Sequence, residues 1–214
     1  MNETTLIVIR HGETAWNREK RMQGTTDTLL SDIGRAQAQA LGRRLAEREF
    51  DGLYSSDLSR ARDTARAIAE RTGCELVTDP RLQERRFGIF EGLTHAEIAS
   101  RYPDELARFQ SRDPDWTVPG GESAAAFMRR CLGCLEELAG RHRRREIVVV
   151  THGLVLDSLY RAAHGMGHGE QRPVPLINAS VNVFGRGDAW RMVLWGDVSH
   201  LAEHEVTQYR GISA

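Results

Sequence analysis

The chain has 214 residues, is 40 % hydrophobic and 28 % charged, and carries a formal net charge of −1. That composition suits a globular protein with one sizeable core and excludes a disordered or fibrous chain. The near-balanced charge gives no global field for nucleic acid or an anionic membrane, and no apolar run is long enough to span a bilayer.

The first predicted element is the apolar run Leu6-Ile7-Val8-Ile9, which suits a strand covered on both faces. Arg10, His11 and Gly12 follow where that strand ends. Ligands of open α/β sheets lie just beyond the carboxyl ends of strands. A cation, an imidazole and a glycine there predict an anion held beside a nucleophile or base. Residues 14–30 are polar and contain Trp16, Asn17, Met22 and Gln23-Gly24, which reads as an active-site loop. Ser31 or Asp32 caps a helix running to near Arg48, with Ile33, Ala36, Ala40, Leu41 and Leu45 inward. A short strand is expected over 51–55. Ser56-Asp57 predicts a second helix cap, with Leu58, Ala61, Ala65, Ile68 and Ala69 buried and Gly73 as the stop. Arg60 then falls in the first helical turn, on the same rim as His11, where the helix N-terminus favours an anion.

A third short strand is expected over 74–77. Residues 79–92 are irregular and carry Glu84, Arg85 and Arg86. Two short helices, 94–101 and 103–110, are split by Pro103. A loop over 111–121 leads to a long helix, 122–139, with Ala126, Phe127, Cys131, Leu135 and Leu138 inward. Glu146-Ile147-Val148-Val149-Val150-Thr151 is the clearest buried strand. His152-Gly153 follows it at once, so the opening device of strand, histidine and glycine recurs before a helix from Leu154 to about Ala163. A glycine- and proline-rich loop spans 164–175. Strands over 179–184 and 190–195 can pair as a hairpin, and a polar tail covers 199–214. There is no linker or repeat, so one domain over 1–214 is expected. Strands alternate with helices, which predicts an α/β fold with a mostly parallel, doubly wound sheet.

The sheet's carboxyl rim would carry Arg10, His11, Arg60, His152 and Glu84, a set that fits phosphoryl transfer. Arginines and one histidine can hold the equatorial oxygens, a neutral imidazole can attack phosphorus, and a carboxylic acid can protonate the leaving oxygen. Spacing alone leaves open which histidine attacks. It also leaves Glu84 a second reading, as the ion-pair partner of Arg85 or Arg86. The three cysteines are too few and too odd for a disulfide scaffold. Cys131 and Cys134 share a helix and read as packing residues. His200 and His204 lack a third metal ligand, a contact from His164 or His168 to substrate has no support, and Trp190 and Trp195 read as core. The polar start, Met1 to Thr5, gives no signal peptide, and the cytoplasm is the expected location.

Arg10-His11-Gly12-Glu13-Thr14 with Asn17 resembles the signature of the histidine phosphatase superfamily, in its phosphoglycerate-mutase-like branch. Four further segments match in the family's order: Leu30 to Gly34 with Gln37-Ala38, Ser55 to Ala61, Arg81 to Glu84 with Phe87-Gly88, and Thr151-His152-Gly153. Together they cover about residues 5–155. The resemblance implies a three-layer α/β/α sandwich with His11 as the phosphohistidine nucleophile. It implies a phosphate pocket of Arg10, Arg60 and His152, and Glu84 as general acid/base. Asn17, Gln23, Gly24 and Gly153 would line the site, with no metal and no cofactor. The family contains mutases and phosphatases. The region from Phe87 to Ile98 and on through Arg101, Arg108 and Arg112 has no adjacent arginine pair, and it carries acids and aromatics, Pro103-Asp104-Glu105 and Asp113 to Trp116. Pro119-Gly120-Gly121-Glu122-Ser123 also looks phosphatase-like. A metal-independent phosphatase of a small phosphomonoester is therefore expected, with a cofactor-dependent phosphoglycerate mutase as the alternative. An inactive module binding phosphorylated ligands or proteins is a third reading. The partner is a small phosphorylated substrate, with no nucleic acid or membrane, and the protein is a monomer or homodimer.

Overall fold

Two apolar runs of nearly identical build make the centre of the sheet. They are β1 (Thr4–Arg10) and a later strand, Glu146–Thr151, and every apolar residue in both is buried. The computed structural model describes residues 3–209; Met1-Asn2 of the expected polar start and 210–214 of the expected polar tail lie outside them. After β1 come α1 (Ala15–Arg18), α2 (Asp32–Leu45), β2 (Leu53–Ser55), α3 (Ser59–Thr72) and β3 (Leu76–Thr78). Next are α4 (His95–Arg101), α5 (Pro103–Gln110), α6 (Ala124–Arg141), β4 (Glu146–Thr151) and α7 (Gly153–His164). The chain closes with β5 (Leu176–Ile177), β6 (Val181–Arg186), β7 (Trp190–Asp197) and β8 (Gln208–Tyr209).

The main sheet has the strand order β3-β2-β4-β1-β6-β7. Strands β1 to β4 are mutually parallel, whereas β6 runs antiparallel to β1 and forms the expected hairpin with β7. Because side chains alternate across a strand, Leu6, Val8, Ile147 and Val149 pack with Phe127, Leu135, Val155 and Leu159 of α6 and α7. Ile7, Ile9, Val148 and Val150 face the other way, onto Leu41, Leu45, Ala65 and Ile68 of α2 and α3. The result is the expected three-layer sandwich. Each fully buried aliphatic side chain contributes about 1.5–3 kcal/mol, so these two layers hold the strand ends rigidly. A third cluster, Met22, Phe87, Phe90, Ile98, Leu106 and Val118, joins the 14–30 loop to α4 and α5. Among the described residues no helix is long and apolar enough to cross a membrane.

The cap at Ser31, Pro103 at the start of α5, and Gly73 in left-handed conformation after α3 match the expectation, and Thr94 and Ser123 cap α4 and α6. Three details differ. Ala36 is exposed and Ile33 only partly covered, while Gln37 is fully buried because its amide is used on both sides: Oε1 accepts from the Glu13 N–H and Nε2 donates to Glu205 O. Ser56 and Asp57 do not cap α3. Asp27 does so from a distant loop, accepting from Ser59 N at 2.8 Å and Ser59 Oγ at 2.7 Å. The 14–30 segment contains the one-turn helix α1, closed by a reciprocal Thr14–Asn17 capping box.

Candidate active site

The two strand-end histidines arrive side by side because β1 and β4 pair with Arg10 opposite Thr151. The His11 N–H donates to Thr151 O at 2.9 Å, and the two imidazole centroids are 5.2 Å apart. On the far side of β4, Ser55 of β2 pairs with Val150, which brings Ser56 and Arg60 of α3 to the same rim. The rim opens into a cleft. Arg10, His11, Asn17, Gln23, Gly24, Arg60, Glu84 and Gly153 all line it. His152 does not; it is fully buried beside the His11 ring. The remaining wall is largely apolar, from Met22, Phe87, Phe109, Leu154 and Leu176, with Arg21 among them.

His11 has a fixed tautomer. Its Nδ1 lies 2.7 Å from Gly12 O. A carbonyl can only accept, so Nδ1 carries the hydrogen and Nε2 keeps its lone pair. Burial, then the charges of Arg60 and Arg10, hold the ring well below the ordinary imidazole range, so it is neutral. Its backbone is equally constrained. Asn178 Nδ2 donates to His11 O at 3.0 Å, and the Ala179 N–H is shared between Arg10 O and His11 O. Ala179 has a φ of 54°, a conformation a non-glycine residue adopts at a cost. Gly12 meets the helix behind it without a side chain: a Cβ there would lie 2.5 Å from Gly34 O.

Two arginines face the same space. Arg10 Nη1 donates to Leu176 O at 3.0 Å. Arg60 is fully buried and its Nη1 and Nη2 donate to Thr26 O and Gly24 O at 2.9 and 2.7 Å, leaving Nε without a partner. Burial lowers its pKa to about 10, which still leaves a cation at neutral pH. The loop that receives Arg60 is itself held by Glu91, whose carboxylate accepts from Thr25 N, Thr26 N, both threonine hydroxyls and Phe87 N. Gly24, at φ 56°, leaves room for that carboxylate. Asn17 and Gln23 both line the cleft, and their amide oxygens accept from Thr14.

Glu84 is the only carboxylate on the cleft wall among the described residues. Burial raises its pKa, partly offset by N–H groups of Arg85 and Leu154 at 3.0 and 3.1 Å and by the charges of Arg60 and Arg10. The ion-pair reading does not hold among the described residues. Arg85 gives Glu84 its backbone N–H, while its Nε donates to Glu122 O and its guanidinium lies over Phe87 and Phe109. His152 has Nε2 2.8 Å from Ser56 Oγ, and its buried Nδ1 has no partner. Burial, then Arg60, keeps it neutral as well.

A cleft with a neutral imidazole lone pair, flanking guanidiniums and one carboxyl whose pKa burial raises can accept a phosphoryl group and deliver a proton. Sequence reasoning missed Glu91, Ser56, Asp27 and Asn178, as well as the apolar wall. Only Ser56 lay inside a recognised segment.

A family model described as the histidine phosphatase superfamily (branch 1) matches residues 6–198. The chain is 42 % identical over 203 residues to "Phosphoglycerate mutase-like protein 4" of Arabidopsis thaliana, covering 92 % of this chain and 87 % of that protein. It is 40 % identical over 204 residues to "Metal-independent phosphoserine phosphatase" of the same plant, covering 93 % and 84 %. A solved mycobacterial glucosyl-3-phosphoglycerate phosphatase with bound VO3 superposes with a TM-score of 0.77 at 34 % identity, over 90 % of this chain and 98 % of that one.

Proposed function

Since the chain belongs to the histidine phosphatase superfamily, whose members act through a phosphohistidine, we propose that it hydrolyses a small phosphomonoester in the His11 cleft. The observation that carries the reading is the pinned His11 tautomer. A neutral ring with a free Nε2, between Arg10 and Arg60, is a nucleophile aimed at an anion site.

In the first step the Nε2 lone pair attacks phosphorus and the bond from phosphorus to the ester oxygen breaks. Glu84, whose carboxyl burial biases toward the protonated form, gives its proton to that oxygen, and the alcohol leaves. Arg10, Arg60 and the His152 ring stabilise the charge on the equatorial oxygens, and the NH₂ groups of Asn17 and Gln23 help to orient them. In the second step the Glu84 carboxylate takes a proton from water as the water oxygen attacks phosphorus. The bond between phosphorus and Nε2 breaks, inorganic phosphate leaves, and both side chains return to their starting forms. Every proton transfer in this cycle uses a side chain already in the cleft, so the scheme needs no metal. The apolar wall of Met22, Phe87, Phe109, Leu154 and Leu176 suits the organic part of a small ester better than a second phosphate. A single-domain monomer or homodimer in the cytoplasm fits three free thiols, two of them buried.

The purified protein is therefore expected to release phosphate from small phosphomonoesters such as phosphoserine in the presence of EDTA, and His11→Ala to lose nearly all of that activity. Activity lost to EDTA and restored by a divalent cation overturns the metal-free scheme. Rapid isomerisation of 3-phosphoglycerate that depends on 2,3-bisphosphoglycerate assigns the chain to the mutases instead.

A further inference from the structure

We infer that Ser56 is a positioning residue: by donating its hydroxyl proton to His152 Nε2, it forces the neutral ring to carry its hydrogen on Nδ1, as a donor for the phosphoryl group. The inference rests on the reading of the cleft as a phosphoryl-transfer site. Its starting point is geometric. Ser56 and His152 are both fully buried, with Ser56 Oγ 2.8 Å from Nε2 and the opposite ring nitrogen lacking any partner.

Two arrangements of the hydrogens fit that contact. In one, Nε2 donates to Ser56 Oγ. That oxygen already accepts from Leu58 N at 3.3 Å, so it would take two donors while its own buried hydrogen had no acceptor. Nδ1 would then hold a bare lone pair, facing repulsion from any phosphate oxygen that approached. In the other, Ser56 accepts from Leu58 N and donates to Nε2. The hydroxyl is then satisfied in both directions, and Nδ1–H is the one donor left over. A buried donor without a partner is costly in a resting protein, and an anion held by Arg10 and Arg60 is what would satisfy it. The second arrangement leaves one group unsatisfied, and that group is satisfied by substrate.

The backbone explains why Ser56 can do this. Its N–H donates to Val150 O at 3.1 Å, which continues the β2–β4 pairing by one residue and sets Ser56 beside the residue pair that ends β4. The hydroxyl therefore reaches the ring from a fixed strand end rather than from a mobile loop. Ser56 touches neither the cleft nor the reacting atoms and acts only through His152.

The test is the His152 tautomer, read by two-bond ¹H–¹⁵N correlation spectra of the ¹⁵N-labelled, ligand-free protein, with the signal assigned by its loss in His152→Gln. The expected result is Nδ1–H in the native protein and a shift toward Nε2–H in Ser56→Ala. Vanadate affinity and kcat should both fall on the order of 10- to 100-fold in that variant, as when the partner orienting a functional histidine is removed. Ser56→Thr, which keeps the hydroxyl, should restore the Nδ1–H form. Should the threonine fail to fold, the native and alanine spectra still decide. A native His152 protonated on Nε2 overturns the inference, and so does a Ser56→Ala variant with unchanged tautomer and unchanged vanadate affinity. Native protein that neither binds vanadate nor releases phosphate overturns the functional reading instead, while the ligand-free tautomer still reports on Ser56.

Discussion

The ends of β1 and β4 are built alike and finished in opposite ways. Each is an apolar strand followed by histidine and glycine, and the parallel register sets the two rings 5.2 Å apart. His11 is tied through Nδ1, to a carbonyl that can only accept. His152 is tied through Nε2, to a hydroxyl that can donate. The first tie leaves Nε2 of His11 with its lone pair, and the second leaves Nδ1 of His152 without a protein partner. One sequence pattern thus serves the two roles proposed for the rings, nucleophile and phosphate clamp, and what separates them is the partner behind each ring.

The largest effect should come from His11→Ala, which removes the nucleophile and is expected to lower kcat/KM on the order of 10⁴- to 10⁶-fold in a steady-state phosphate-release assay. His152→Ala removes a charge-stabilising donor only, so its loss should be about 10²- to 10³-fold. Equal losses in the two variants would erase the division of labour.

Between them falls Glu84→Gln, at about 10²- to 10⁴-fold for loss of a general acid. Its effect should also appear in the pH profile. Burial raises Glu84, so the native enzyme should lose kcat/KM as pH rises and that carboxyl deprotonates; burial lowers His11, so activity should persist into acid below the ordinary imidazole range. Glu84→Gln should flatten the alkaline limb and leave the acid limb in place. The same burial has a stability sign. The unfolded chain takes up protons on His11 and His152 that the folded protein refuses, so the urea midpoint should fall as pH drops below the ordinary value of 6.5.

The smallest expected effect lies behind Arg60. Glu91→Gln weakens the hold on the Gly24–Thr26 carbonyls that receive the guanidinium. A loss of about 1–3 kcal/mol in denaturant melts is expected, from hydrogen bonds to a charged group, with a drop in kcat/KM smaller than that of His152→Ala.

Much of this arrangement was legible because it rests on local rules. Unbroken runs such as Ile147 to Val150 announce strands buried on both faces, and Ser31, Pro103 and Gly73 punctuate helices by local residue chemistry that acts within a turn. Arg10, His11 and Arg60 could be placed on one rim because strand ends and helix starts fix position before any contact is known. What escaped acts across the chain. Asp27 caps a helix that starts at Ser59, and Gln37 takes a core position because it bridges Glu13 and Glu205. The Glu91 carboxylate organises a loop more than sixty residues earlier in the chain. The β5–β8 pair is only two residues long on each side, too short for any periodicity to register. Polar hubs of this kind depend on which loops meet, and a linear pattern of polar residues does not carry that information.

The central claim is that the ring tied through Nδ1 attacks through Nε2. It is tested most directly by trapping the phosphoenzyme at low temperature with ³²P-labelled substrate, mapping the acid-labile label, and identifying the substituted nitrogen by ³¹P NMR. The account predicts phosphate on Nε2 of His11 and none on His152. Label on Nδ1 of His11, or on His152, would contradict it.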